Sequence, residues 1–354
     1  MDSLTQAVLG ATVGYTIGGR YLGRKAALWG IVLGTLPDLD VLVQNADPID
    51  SYVMHRSWSH SFLVTGLAAV PIGLMISRLH NEARAVPGRM VLMVSLIFFT
   101  HILLDAMTIY GTQIFWLLSD LIPALPQVPI GLGSVAIIDP IYTLPLLLAT
   151  IWVLLRGSSR SNGGIIQSEH VTIAALTVSS LYLGWGLFAQ NTIEKHAREQ
   201  MVSNGITVDR LFASPTFGNS LLWYVLIQDG DKVHYGVRSR LDDDGKPLEF
   251  VVMERRSDTL NELPNKAAAE KVMNFSKGFY RFAETANEIS IADMRMGLPP
   301  NFELHFEFAL ANRNSMDGTP IALSPTKHLF PQVYKENFVF VWERIFSEQA
   351  TMDN

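Results

Sequence analysis

Apolar runs of membrane-crossing length fill the first half of this chain and stop near Gln190. In hydrocarbon a backbone must satisfy its own N–H and C=O groups, so such runs read as helices. They cover residues 4–17, 26–43, 61–76, 90–107, 137–155 and 171–189. The first is short for a crossing, and a tilted or half-inserted helix fits it as well as a span. This predicts a membrane domain of five to six helices. Beyond residue 190 charge becomes dense: of 27 Lys and Arg, nine fall in residues 1–189 and eighteen in 190–354. The expected organisation is a polytopic membrane domain over 1–189 and a soluble α+β domain with an antiparallel sheet over 190–354.

Eight of those nine basic residues lie in three loops: Arg20, Arg24 and Lys25; Arg78, Arg84 and Arg89; Arg156 and Arg160. The loops alternate with the spans so as to share one side, which the positive-inside bias makes cytoplasmic. The expectation is a multi-pass protein of a bacterial inner membrane with a periplasmic C-terminal domain. Met1-Asp-Ser-Leu lacks the basic n-region of a cleavable signal peptide, so the first apolar segment should be retained. The net charge of -6 argues against nucleic acid as a partner. There is no cysteine, which excludes disulfides and thiolate-bound zinc.

Ionisable residues inside apolar segments are costly and mark function. Here they gather at one predicted depth. Asp38 and Asp40 follow Pro37 at the outer end of their span. His55 and His60 bracket Arg56 in His-Arg-Ser-Trp-Ser-His, and Asp139-Pro140 opens a later span. His101 and Asp105, four apart, share one helix face. Imidazole and carboxylate without sulfur suit a divalent cation, zinc foremost and manganese as a second choice. Asp38, His60, His101 and Asp105 are the candidate metal ligands. Asp40, His55, Arg56 and Asp139 are candidate catalytic groups, with Asp40 or Asp139 orienting water. Blander roles are open to several: a His–Asp pair stitching helices, a loop histidine at 55, helix capping by Asp139. His234, His305 and His328 are scattered and read as structural.

Arg56 is the one basic residue of 1–189 on the outer side. Its planar fork suits a phosphate or carboxylate, and a plain salt bridge to Asp38, Asp40 or Asp47 is the alternative. In the second half, residues 221–227, 249–253 and 302–308 read as strands, Asp229-Gly230 and 242–245 as turns, and 267–285 as helical.

Met1-Asp-Ser-Leu-Thr-Gln6, Gly34-Thr-Leu-Pro-Asp-Leu-Asp40, His55-Arg-Ser-Trp-Ser-His-Ser61 and residues 100–112 together resemble the bacterial YdjM-type membrane-bound metal-dependent hydrolases. The resemblance covers roughly residues 1–160. Asp293-Met-Arg-Met-Gly297 is similar to a segment of members with a C-terminal extension. Many members carry His where this chain has Gln6. The resemblance implies kinship with zinc-dependent phospholipase C and P1-type nucleases, hence an all-α metal site and phosphoester hydrolysis by metal-activated water. A site at the lipid interface implies a membrane lipid or lipid-linked substrate. Two other classes use similar residues: a transporter or proton relay working through buried His and Asp, and a haem protein with His60 and His101 as axial ligands. The interleaved carboxylates argue against haem.

Overall fold

The computed structural model describes residues 1–43, 45, 47–157, 164–243, 245–297, 306–312, 320–327 and 335–347. Arg160, residues 302–305 of the predicted strand and His328 lie outside the described residues. The chain divides into two compact units. The first comprises residues 1–43, 56–187 and 217–219, and the second comprises 44–55, 188–216 and 220–354.

The first unit is helical. α1 (Ser3–Leu22) starts at Asp2, whose carboxylate accepts the Thr5 N–H. α2 (Arg24–Thr35) lies against it with almost no side-chain spacer: a Cβ on Gly10 would stand 2.2 Å from the Gly30 carbonyl oxygen. Small residues at this spacing allow such backbone contact. The predicted run over 26–43 ends its regular helix at Thr35, because Pro37 has no N–H to continue the ladder. Pro37–Leu42 then forms a 3-10 turn that carries Asp38 and Asp40.

Residues 44–55, predicted as a plain polar loop, instead hold a short helix, α3 (Pro48–Met54), and belong to the second unit. The first unit resumes at Arg56 with a single 3-10 turn, Trp58–His60. α4 (Phe62–Leu79) and α5 (Pro87–Met107) form a hairpin, and α5 also packs on α1. Met90, Met93 and Ile97 of α5 are fully buried in this core. The connection over 108–139 includes α6 (Leu118–Leu121) and a bridge between Thr112 and Ile130. It folds back on the end of the hairpin: Phe62 N–H donates to Ile114, and Leu132 N–H to Ala106. α7 (Pro140–Arg156) and α8 (Gly164–Ser203) complete the helices, and the unit boundary falls within α8. Among the described residues three helices are long and apolar enough to cross a membrane: Phe62–Leu79, Pro87–Met107 and Ile166–Ser203. α7 is apolar but shorter.

The second unit contains two antiparallel four-stranded sheets where the sequence pointed to one. The first comprises β1 (Arg210–Pro215), β2 (Leu222–Asp229), β3 (Lys232–Ser239) and β4 (Phe250–Glu254), in that spatial order. Gly230, at positive φ, makes the two-residue β2–β3 turn read from Asp229-Gly230. Trp223, Val225 and Ile227 of β2 pack with Ile193, Ala197 and Met201 of α8. α9 (Ala267–Phe275) ends well before the predicted residue 285. Lys277 and Gly278 both take positive φ and turn the chain into β5 (Tyr280–Glu284). β6 (Glu288–Asp293), β7 (Glu307–Asn312) and β8 (Ile321–Lys327) finish the second sheet, and α10 (Lys335–Phe346) follows.

Candidate metal centre

Three separate segments of the first unit bring Asp38, His60, His101 and Asp105 together, with one ligand atom of each within 4.8 Å of all the others. Asp38 comes from the 3-10 turn after α2, His60 from the turn before α4, and His101 with Asp105 from the last two turns of α5. The two imidazole Nε2 atoms are 3.1 Å apart. His60 Nε2 lies 3.1 Å from Asp105 Oδ2 and 3.4 Å from Asp38 Oδ1. His101 Nε2 lies 3.4 and 3.7 Å from the same two oxygens. A tetrahedral ion with arms of about 2.1 Å separates its ligands by about 3.4 Å, so these spacings bracket the edges of such a site.

The far side of each ring fixes which nitrogen faces the centre. His101 Nδ1–H donates to the Gly34 carbonyl at 2.7 Å, and Gln6 Nε2 donates to the His101 carbonyl at 3.4 Å. Ser59 Oγ donates to Asp40 Oδ2 at 2.6 Å and accepts from His60 Nδ1 at 2.8 Å. Both rings are thereby held with Nε2 turned inward. Outer partners of this kind orient metal-binding histidines. Two Nε2 atoms 3.1 Å apart, facing two carboxylates, need a proton or a cation between them. Neither oxygen of Asp38 accepts a hydrogen bond, although both are buried. The donor set therefore fits a divalent cation such as zinc or manganese.

Arg56 adjoins this group. Its Nη2 is 3.3 Å from Asp105 Oδ1, which also receives the α-amino group of Met1. Its Nη1 reaches Thr108 Oγ1 at 3.4 Å, the Tyr110 ring lies 5.4 Å from its Cζ, and its buried Nε has no hydrogen-bond partner. Arg56 also has a φ of 59°, a left-handed conformation that costs an ordinary L-residue on the order of 1–2 kcal/mol. Two backbone hydrogen bonds hold it there: Arg56 N–H to Asp40 Oδ2 at 2.9 Å, and Gln113 N–H to the Arg56 carbonyl at 3.0 Å. Strain kept in place by surrounding bonds is a mark of functional positions.

The remaining candidates lie elsewhere. Asp40 sits one step outside the centre and acts on His60 through Ser59. Asp139 is buried, but its Oδ1 caps α7 through the N–H groups of Ile141 and Tyr142, and its Oδ2 accepts from Tyr182 at 2.8 Å. It is not one of the four clustered residues. His55 caps α3 in the second unit and is not one of them either. Sequence reading placed Thr108 on the stripe of His101 and Asp105 but passed over Ser59 and the Gly34 carbonyl. Ser59 had a legible signal, a hydroxyl beside His60 within an already suspect motif; a carbonyl has none.

Residues 1–193 match the family described as YdjM inner membrane protein. No curated protein and no solved structure matches the chain.

Proposed function

The chain belongs to the YdjM inner membrane protein family, and from that premise we propose that it is a metal-dependent hydrolase of a lipid or lipid-linked phosphoester. One observation carries the reading: four buried N and O ligand atoms converge beside a buried arginine whose Nε is unpaired. Zinc is the preferred ion and manganese the alternative. When bound, such a cation lowers the pKa of a coordinated water and offsets charge on a phosphoryl oxygen.

The chain's own groups supply the rest. Asp38 Oδ1 faces both imidazoles, which leaves Oδ2 to take a proton from the attacking water. As the water oxygen bonds to phosphorus and the ester P–O bond breaks, that proton passes to the departing oxygen. Arg56 Nε donates to a non-bridging oxygen whose charge grows in the transition state. Asp40 and Ser59 keep His60 in the required tautomer. In this reading Asp139 is a framework residue of α7. Five to six crossings with a periplasmic C-terminal unit remain the preferred topology, supported by the alternation of basic loops.

The rival reading, a transporter or proton relay, would use the same buried His and Asp groups without stable metal; absence of tightly bound metal from purified protein would favour it.

The test is metal content and turnover of detergent-purified protein, with phosphatidylglycerol in mixed micelles and bis(4-nitrophenyl) phosphate as probes. Bound zinc or manganese should disappear in His101→Ala. Arg56→Lys should keep the metal and lose roughly 100–1000-fold in turnover, as for loss of a transition-state donor. A protein that takes up neither ion after dialysis, or that hydrolyses equally well as His101→Ala, would rule the reading out.

A further inference from the structure

The 3-10 turn that carries two carboxylates of the centre is built inside out for a water-facing segment. Asp40 is buried and the Asp38 side chain only 16% exposed, while Leu39, Val41, Leu42 and Val43 are exposed, Leu42 by 73%. A soluble protein places such residues the other way round. The reversal continues around the same end of the α4–α5 hairpin. Trp58, on the His60 turn, and Leu121, in the connection after α5, are both exposed, the latter by 72%. That connection is tied to the site, since Gln113 N–H bonds the Arg56 carbonyl and Ser61 Oγ bonds the Trp116 carbonyl. Asp38 is moreover the least buried of the four ligands. Of the four, Asp38 therefore lies nearest the surface, and the residues beside it on that surface are apolar.

These residues border the ends of α4 and α5, two helices long and apolar enough to cross a membrane, and α4 exposes Leu67 on its own surface. Apolar surface at the ends of such helices is suited to acyl chains rather than water, and tryptophan favours the level where chains meet headgroups. We propose that the entrance to the centre is set in the lipid of the bilayer, with Leu39, Val41, Leu42, Val43, Trp58 and Leu121 among the acyl chains. A substrate then reaches Asp38 sideways out of the membrane, keeping its apolar part in the bilayer and presenting only its polar group to the centre. The proposal rests on the hydrolase reading for the word substrate, and the lipid contact stands independently of it.

Because the chain has no cysteine, single nitroxide labels can be placed without background. Leu42→Cys, Val41→Cys and Leu121→Cys would be labelled in full-length protein in vesicles of phosphatidylethanolamine and phosphatidylglycerol. Collision with oxygen, which partitions into lipid, would be compared with collision with a polar nickel chelate. Leu67→Cys is the lipid standard, and Lys232→Cys, exposed at a strand end, is the water standard. The entrance labels should match Leu67 and exceed Lys232 roughly tenfold in the oxygen-to-nickel ratio, since hydrocarbon excludes charged solutes. High nickel access would place the entrance in water and overturn the proposal. Low access to both reagents would mean that protein covers the entrance, and would overturn it equally. All three positions are surface sites, so loss of folding at one leaves two to decide. Lipid-facing labels on a protein without phosphoesterase activity would retire the hydrolase reading alone; water-facing labels on an active hydrolase would retire the lipid-set entrance alone.

Discussion

Each unit withdraws a cluster of charged side chains from water, and the two clusters are built to opposite plans. In the second unit Asp293 and Arg295 are both fully buried. Arg295 Nε donates to Asp293 Oδ1 at 3.0 Å and Nη2 to Oδ2 at 2.6 Å, while Tyr52 Oη adds a donor to Oδ2 at 2.9 Å. The Tyr52 ring lies among Phe275, Phe306 and Phe308. Donors and acceptors are matched and the charges are paired. In the first unit two carboxylates and two imidazole Nε2 atoms converge, and both Asp38 oxygens and Arg56 Nε are without hydrogen bonds. A matched cluster holds a fold together. An unmatched one, held in place by surrounding bonds, is shaped for something that arrives later.

The contrast breaks most forcefully at Asp293. Asp293→Ala leaves a guanidinium buried without its partner, and removing one half of a buried pair costs about 3–5 kcal/mol. The expected result is a large fall in the unfolding midpoint of the full chain, followed by intrinsic fluorescence or calorimetry. Metal binding by the folded fraction should be unchanged. A midpoint equal to that of the parent protein would show that the pair does not hold this unit together.

Asp38→Asn sharpens the other side. Asp38 accepts no hydrogen bond, so its loss breaks none, and it removes one of two nearby carboxylate charges. The metal-free variant should unfold at or slightly above the parent midpoint. Zinc binding should weaken by at least roughly 100-fold, since disturbing even the outer partners of a ligand costs about 10–100-fold. Isothermal titration with zinc and thermal unfolding in chelator read the two effects separately. A metal-free variant markedly less stable than the parent would make Asp38 a structural residue.

The same contrast explains what could be read from the sequence. Asp38, His60, His101 and Asp105 stood out because each is ionisable and sits at one predicted level of an apolar region. Chemistry at odds with its surroundings is visible residue by residue. The grip on residues 44–55 was not, because Tyr52 meets Asp293 across 241 residues and neither local pattern names the other. The Lys271–Asp50 ion pair ties the same short helix, α3, to α9 and is equally silent in sequence. Asp139 shows the limit in between. Its position before Pro140 fitted both a cap and a catalytic group, and its hydrogen bonds follow the cap. The premature end of α9 turns on Lys277, an L-residue at positive φ that no periodicity announces.

Lys277 also gives the smallest test of the comparison. Burial, helped by the Arg295 charge, pushes its amine down to about 8, whereas a free lysine titrates near 10.4. The unfolded chain thus binds more protons than the folded one between those values, and stability rises with pH through that window. Below about pH 8 both states are protonated and the folded state carries the whole penalty. Lys277→Met removes the group. It should raise stability at pH 7 by on the order of 1 kcal/mol, discounted because the side chain keeps some water, or about 2–4 °C in midpoint for a unit of this size. It should also flatten the rise in midpoint between about pH 8 and 10.5 that the lowered amine predicts for the parent protein. Because the Asp293–Arg295 pair is complete without this lysine, the variant leaves that pair intact, and adding Asp293→Ala should cost nearly as much as it does in the parent. If Lys277→Met instead lowered the midpoint at pH 7, the ammonium would be a working member of the matched cluster rather than a charge that the cluster tolerates.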